Sequence, residues 1–376
     1  MNAVEIVSNL FNQLSKREKD VLTRRFGLHG NGKETLESVG AAHGLTRERI
    51  RQIETSGLKK LLQLKELEGY VNNLKSVIAQ LLEEHGGLME REYLLDVLTG
   101  FSADGNDKVV HKSHLDFLIS KLLINEFERT AASRNFKNSY KIKYQALDHL
   151  EELADELVIK LQELRKTLQT EELIDFLTKF ESYDKHKEKF EINYNLDLSS
   201  VLNKGLFREN AEVINNQKVL YSVLVALKNV EQNKFGHWGI YNWREVKPKT
   251  INDKIYLVLK NEGKPLHFVE IAKRINEIGF DKKSANPATV HNELILDNKY
   301  VLVGRGLYTL KEWGYNKGTV TDVIVEVLSQ SEQPLTREEI VEKVLEQRLV
   351  KGTTVILALM NKELFEREGN KYKLKK

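Results

Sequence analysis

An internal repeat near the C-terminus constrains the fold more than any other feature of the sequence. Apolar residues spaced i, i+4, i+7 and i+8 mark one face of a helix, and the same pattern recurs 69 residues later. The two sets are Ile251, Ile255, Val258, Leu259 and Val320, Ile324, Val327, Leu328. Each copy ends in two β-type runs around a polar turn, YVLVGRGLYTL and LFEREGNKYKL. The repeat therefore predicts two winged-helix domains, each with helix, turn, helix, helix and a two-stranded wing.

Weaker copies of this pattern precede the pair, one starting near Leu74 and a longer, irregular one starting near Leu153. We predict a mainly α fold of tandem helix-turn-helix and winged-helix domains with small two-stranded wings. The predicted domains are 1–68, a helix-turn-helix; 70–146, winged-helix-like; 148–246, irregular, winged-helix-like and acidic; 248–316, a winged helix; and 318–376, a C-terminal winged helix.

Composition limits the classes of protein to consider. The chain of 376 residues is 41% hydrophobic and 30% charged, and it has no cysteine, which excludes disulfides and thiolate metal sites. No run approaches the roughly 18 apolar residues of a membrane span, and the first residues lack the pattern of a signal peptide. We predict a cytoplasmic protein with no membrane partner.

Charge is unevenly distributed along the chain. Residues 148–191 hold 13 acidic and 7 basic residues, whereas residues 247–317 hold 8 acidic and 13 basic residues. A polyanion would prefer the second segment, although a solvated helix surface explains either block equally simply.

The segment TLESVGAAHGLTRERIRQIETSGLKKL has the parts of a helix-turn-helix. Gly40 lets two helices approach closely, Gly44 suits the left-handed end of the first helix, and Leu45 fills the turn. Thr46 is a good N-cap for the second helix. On that helix, 100° per residue directs Ile50 and Ile53 inward.

The opposite face of this second helix carries the side chains that base readout requires. They are Arg47, Glu48, Arg51, Gln52 and Thr55. Thr46 lies at the start of this face, and Lys59 and Lys60 lie beyond it, where we predict phosphate contacts. An ordinary amphipathic helix with a salt-bridged surface is the alternative explanation.

The segment LSKREKDVLTRRFGL, followed by the helix-turn-helix, resembles region four of the sigma-70 family over about residues 10 to 62. The resemblance implies double-stranded DNA as a partner and Arg47, Glu48, Arg51 and Gln52 as base or phosphate contacts. It also implies docking on the beta flap of core RNA polymerase through the helix around Leu14 to Phe26. Ser56-Gly57 departs from the family, and Gly57 weakens the helix by about 1 kcal/mol. The segment that melts the minus-10 element is not found ahead of this region, so we expect no promoter opening with core polymerase alone.

The loop GLHGNGKET nearly matches a phosphate-binding loop, G-x-x-x-x-G-K-[ST]. Glu34 occupies the position of the hydroxyl that would bind magnesium, and its carboxylate would repel phosphate. We therefore interpret this loop as a turn between helices.

Residues 250 to 315, and GRGLYTLKEWGY above all, resemble the HARE-type helix-turn-helix. That family includes the delta subunit of bacterial RNA polymerase and some DNA-modification and chromatin proteins, so the resemblance implies a nucleic-acid or polymerase-associated role. Asn286 is a good cap and Pro287 a good first residue for a helix on which His291 and Asn292 face outward. Arg305, between two glycines, is placed to contact a phosphate or the minor groove, or is simply a solvated turn residue.

Catalysis finds no support in the sequence. His111 and His114 form the one close histidine pair, which we expect at the surface or at a helix cap, and no catalytic motif accompanies them. We predict a non-catalytic, sequence-specific DNA-binding transcription factor, without cofactor, metal or small-molecule substrate. The alternative is a DNA-binding or scaffolding subunit of a defence or DNA-modification complex.

Overall fold

The structure is a computed structural model that describes residues 2–101, 107–130, 133–192, 194–202, 211–315, 318–331, 333–348 and 350–375. The chain divides into two compact units, Met1–Tyr241 and Asn242–Lys376. Both are mainly helical with small antiparallel sheets, which confirms the predicted fold class. The finer division into five domains stays a prediction, and its limits at residues 1, 316 and 376 lie outside the described residues.

Four helices begin the first unit: α1 (Ala3–Phe11), α2 (Lys16–Phe26), α3 (Leu36–His43) and α4 (Arg47–Leu62). Ser15, Thr35 and Thr46 cap α2, α3 and α4, because each side chain accepts a backbone N–H of the first turn. Gly27 and Gly44 end α2 and α3 in the left-handed conformation. The three helices share one small core, made of Val21, Val39, Ile50 and Ile53.

A segment with winged-helix order follows. Its elements are α5 (Leu67–Glu84), β1 (Leu88–Glu90), α6 (Arg91–Gly100), α7 (Lys108–Phe117), a π-helical turn (Leu118–Leu122), β2 (Phe127–Arg129) and β3 (Ser139–Ile142). The sheet order is β1, β3, β2, with Met89 opposite Tyr140. A short third strand, β1, is thus added to the predicted two-stranded wing.

The rest of the first unit is built from short helices and one hairpin. They are α8 (Asp148–Leu164), α9 (Thr170–Leu177), α10 (Glu181–Lys185), α11 (Lys187–Phe190), α12 (Ser199–Leu202), α13 (Ala211–Asn216), α14 (Lys218–Ala226), β4 (Val230–Gln232) and β5 (Trp238–Ile240). Helix α14 packs against β1, and the Ser222 hydroxyl donates to the Leu88 carbonyl oxygen. Lys218, which has no exposed surface, forms an ion pair of 2.7 Å with Glu84. This segment is therefore interlocked with the preceding one.

The second unit contains the two sequence repeats. The first is α15 (Ile251–Glu262), β6 (Leu266–His267), α16 (Phe268–Ile278), α17 (Pro287–Leu296), β7 (Tyr300–Gly304), β8 (Leu307–Leu310) and a 3-10 turn (Lys311–Trp313). The second is α18 (Val320–Ser329), β9 (Leu335–Thr336), α19 (Arg337–Gln347), α20 (Gly352–Leu359), β10 (Phe365–Glu368) and β11 (Lys371–Leu374). Both start with a capping box, Thr250 with Asp253 and Thr319 with Asp322. In both sheets the last strand lies in the middle, between the other two.

Candidate nucleic-acid interface

The turn between α3 and α4 is fixed by two glycines and a threonine. A Cβ atom on Gly40 would lie 2.6 Å from the carbonyl oxygen of Leu45, so only glycine lets the helices approach this closely. Gly44 has φ +63°, and the Thr46 hydroxyl accepts the backbone N–H of Arg49 at 3.2 Å. The predicted cap and turn are thereby confirmed, and they set the direction in which α4 leaves the turn.

One face of α4 is buried and the other is open to solvent. Ile50 and Ile53 pack in the small core, as predicted from the helical period. On the outer face, all the predicted contact residues are exposed: Thr46, Arg47, Glu48, Arg51, Gln52, Thr55 and Lys59. The structure thus brings these side chains together on one surface, as a helix that enters a DNA groove requires.

The polar groups of this face are engaged with one another. Arg51 donates two hydrogen bonds to Glu48, at 2.9 and 2.7 Å, and these bonds lower the pKa of the Glu48 carboxyl. Arg47 lies 3.1 Å from the carboxylate of Glu37 on α3. Because these pairs are exposed, water and DNA compete with them easily, and each contributes little to stability.

Arg49 belongs to the same surface, although the sequence analysis did not select it. It is exposed, and its guanidinium donates to Gln52 Oε1 at 3.0 Å. Gln52 thereby keeps its amide nitrogen as a donor. The spacing of three residues on a helix was the signal available for this pair.

Lys60 has a different environment from the other predicted contacts. Its ammonium lies 2.7 Å from Glu18 of α2, and the Ser56 hydroxyl donates to the same carboxylate at 3.3 Å. Burial would raise the pKa of Glu18, but hydrogen bonds from Lys60 and Ser15 outweigh it and lower the pKa to about 2. Lys60 thus holds α4 against α2, and its predicted phosphate contact stays a prediction.

The departure at Ser56-Gly57 also has a structural reason. A Cβ atom on Gly57 would lie 3.2 Å from Leu22 Cδ1, so the glycine allows α4 to pack tightly on α2. Ser56 completes the hydrogen bonds of the buried Glu18. The loss of helix propensity at Gly57 is therefore offset by packing that a single sequence does not reveal.

The loop that resembles a phosphate-binding motif makes structural contacts. Lys33 Nζ lies 3.0 Å from Asp116, a carboxylate that is nearly inaccessible to solvent and also accepts from Arg91 and Tyr140. The side chain of Glu34 accepts from the Ser38 hydroxyl at 3.0 Å. These contacts agree with the interpretation of the loop as a connection between helices.

The helix expected to dock on polymerase is partly covered. The ring of Phe26, at the end of α2, lies 5.0 Å from that of Phe117 on α7, and Phe11 of α1 lies 5.7 Å from the same ring. Lys121 is 5.5 Å from the centre of the Phe26 ring. The segment around Leu14 remains more accessible, since Lys16 and Arg17 are exposed.

The predicted contact residues of the second unit lie on α17 and on the turn between β7 and β8. Asn286 caps α17 and Pro287 is its first residue, as predicted. Asn292 and Arg305 are exposed. His291 is half-buried, with its ring 4.6 Å from Phe268 and close to Tyr308, so it is less available to DNA than a fully outward residue.

The expectation for the histidine pair was wrong. His111 and His114 are both buried, and His114 Nδ1 lies 2.8 Å from the Val110 carbonyl oxygen. The polar residues around them on α7 hid the burial, because Phe117 and the first unit's core cover this face from elsewhere in the chain. Among the described residues, no cluster of three or more histidine, aspartate or glutamate side chains is arranged to hold a metal ion. Within the same residues, no helix is long and apolar enough to cross a membrane.

Comparison with known proteins identifies one part of the chain. Residues 10–62 match sigma-70, region 4. Over 57 residues, the chain is 54% identical to the RNA polymerase sigma factor RpoS of Coxiella burnetii and 49% identical to the sigma factor SigA of Microcystis aeruginosa. These matches cover 15% of this chain and 16% and 14% of the two relatives, so the chain spans only about one sixth of their length. No solved structure is significantly similar to the chain.

Proposed function

We propose that this chain is a non-catalytic, sequence-specific DNA-binding protein that reads duplex DNA through the outer face of α4. The observation that carries the proposal is the set of exposed polar side chains on α4, within the residues that match sigma-70 region 4. Arginine pairs bidentately with guanine, glutamine with adenine, and glutamate accepts from cytosine. In the DNA-free chain, Arg51 and Glu48 hold each other, and base readout replaces that bond.

We further propose that the protein recognises a promoter element in association with RNA polymerase. The similar proteins are RNA polymerase sigma factors, which supports this assignment for residues 10–62. Because Phe117 covers Phe26, contact with polymerase through α2 uses the open segment that contains Lys16 and Arg17, or displaces Phe117.

The second unit is proposed to add a second DNA contact through its HARE-type module. The unit has 24 basic and 19 acidic residues, a net charge of +5 that favours a polyanion. Asn292 and Arg305 are exposed there, on the third helix and on the wing. These are the two places where winged-helix domains touch DNA.

A different function is kept because the sigma-like match covers only 15% of the chain. The remaining helical modules suit a DNA-binding or scaffolding subunit of a defence or DNA-modification complex. Purification of the tagged chain from its own cells separates the two functions. Core polymerase subunits in the purified complex support the first, and a nuclease or methyltransferase supports the second.

The direct test uses a site selected from random duplexes by the full chain. Arg51→Ala and Gln52→Ala are each expected to cost about 1–3 kcal/mol on that site and to relax specificity at one or two base pairs, because a bidentate pair is lost. Arg134→Ala is the matched control, since Arg134 is highly exposed but lies away from α4. Equal loss for Arg51→Ala on selected and scrambled DNA would show a phosphate contact only. Failure to select any site would overturn the proposal.

A further inference from the structure

The third helix of the C-terminal repeat has an outer surface unlike that of α4. Val355 and Leu359 face the core of the repeat. The opposite side carries uncharged residues only: Thr353, Thr354, Leu357 and Met360. Leu357 is 67% exposed and Met360 is 66% exposed. Large apolar side chains at this exposure mark a surface that associates with another molecule.

DNA is a poor occupant of this surface. Helix α20 contains no charged residue, so it has no group for bidentate base readout or for neutralising phosphate. The neighbouring helix α19 carries three exposed glutamates at four-residue spacing, Glu338, Glu342 and Glu346. This acidic row repels a phosphate backbone.

Opposite charges flank the apolar face at its two ends. Lys351 caps the start of α20, and Glu363 follows its end, with Leu357 six residues from each. Both charged side chains are exposed, and neither has an ion-pair partner among the described residues of its own chain.

This arrangement is complementary to itself. If two copies of α20 lie antiparallel about a two-fold axis at Leu357, the two Leu357 side chains meet at the centre. Each Lys351 then lies opposite Glu363 of the other copy, and the two helix dipoles are oppositely directed. The uncharged face brings no like charges together, whereas two α4 faces would oppose several arginines.

We propose that two copies of this chain associate through the outer face of α20, with Leu357 and Met360 at the centre and Lys351 paired with Glu363 across the two-fold axis. A helix of this length spans only about 12 Å, so the interface is near the small end of specific interfaces and the dimer dissociates in the micromolar range. The proposal is independent of DNA binding by α4.

Sedimentation velocity of the full chain from about 1 to about 100 µM tests the association. The wild type is expected to shift from monomer to dimer with concentration. Leu357→Ser and Met360→Ser are each expected to raise the dissociation constant at least about tenfold, because central apolar residues carry most of the binding energy. Leu296→Ser, at a residue of α17 that is 78% exposed, is the matched control and should leave it unchanged.

A charge exchange distinguishes the antiparallel self-pairing from other contacts. Lys351→Glu and Glu363→Lys should each weaken the dimer, and the double variant should restore it, because the inverted pair again has opposite charges. Circular dichroism checks that every variant is folded. A wild type that stays monomeric throughout, a dimer that Leu357→Ser leaves intact, or a double variant no stronger than the single ones overturns the proposal.

Discussion

Lys59 and Lys60 are adjacent in the sequence but have different surroundings. Lys59 is exposed beyond the outer face of α4, whereas Lys60 is bound to Glu18, a carboxylate that is almost inaccessible to solvent. Ser15 and Ser56 donate to the same carboxylate, so Lys60 belongs to a group of hydrogen bonds that joins α2 and α4. A lysine in such a group contributes to the fold as well as to the charge seen by DNA.

We expect Lys59→Ala and Lys60→Ala to have different effects. Lys59→Ala should weaken DNA binding about equally on all sequences and reduce the slope of log K against log salt by about 0.9, as for one lost phosphate contact. Lys60→Ala should lower the free energy of unfolding by about 1 kcal/mol at neutral pH, a value reduced by its partial exposure to solvent. Salt titrations of binding and urea unfolding measure the two effects.

The effect of Lys60→Ala should depend on pH. The pKa of Glu18 is lowered from 4.5 to about 2 in the folded chain, so its contribution to stability is present above pH 4.5 and lost as the pH falls through about 2. The difference in unfolding free energy between wild type and variant should therefore shrink between these two values. A difference that stays constant over this range contradicts the role given to Glu18.

The helix-turn-helix shows how elements are positioned by local backbone constraints. Gly40 and Gly44 both lie at the turn, but for different reasons. At Gly40 a side chain would meet the backbone oxygen of Leu45, while at Gly44 there is open space and only the left-handed conformation favours glycine. The two positions separate close helix approach from backbone strain.

Gly40→Ala should lower the free energy of unfolding by about 3 kcal/mol, since the backbone of the turn must shift, which exceeds the helix propensity that alanine gains. Gly44→Ala should cost about 1–2 kcal/mol, from the left-handed conformation alone. Thermal and urea unfolding of the two variants provide the comparison. Equal losses would mean that the close contact at Gly40 is relieved without movement of the turn.

Features that depend on neighbours in the sequence were predictable, and features that depend on distant segments were not. The cap at Thr46 and the inward direction of Ile50 follow from the helical period and from capping preferences. The cover that Phe117 provides for Phe26 joins residues far apart in the sequence, as does the bond between Lys33 and Asp116. No local pattern encodes such pairs, and the buried histidines of α7 were misplaced for the same reason.

At the scale of the whole molecule, the first unit is held together by one buried ion pair between distant segments. Lys218 and Glu84 are both almost inaccessible to solvent, and backbone N–H groups of Asn195 and Leu196 also donate to the carboxylate. Burial would raise the pKa of Glu84, but the bond from Lys218 and the backbone donors lower it. The carboxylate is therefore charged inside the protein, and its stability depends on its partners.

We expect Lys218→Met to lower the free energy of unfolding by about 3–5 kcal/mol, because Glu84 is left charged and buried. The double variant Lys218→Met, Glu84→Gln should recover most of the loss, since both charges are removed. Lys160→Met is the control, at an exposed helix lysine that should cost less than about 0.5 kcal/mol. A single variant as destabilising as the double one would exclude uncompensated charge as the cause.

The separation of Glu84 from Lys218 also matters while the ribosome is making the chain. The partners are 134 residues apart, and at about 5–20 residues per second their synthesis is separated by on the order of 10 s. During that interval β1 lacks the cover of α14, and Glu84 remains in water. The core shared by α2, α3 and α4 is complete within the first 62 residues and does not wait. On the nascent chain, the DNA-reading helix is thus assembled before the segment that follows it can close.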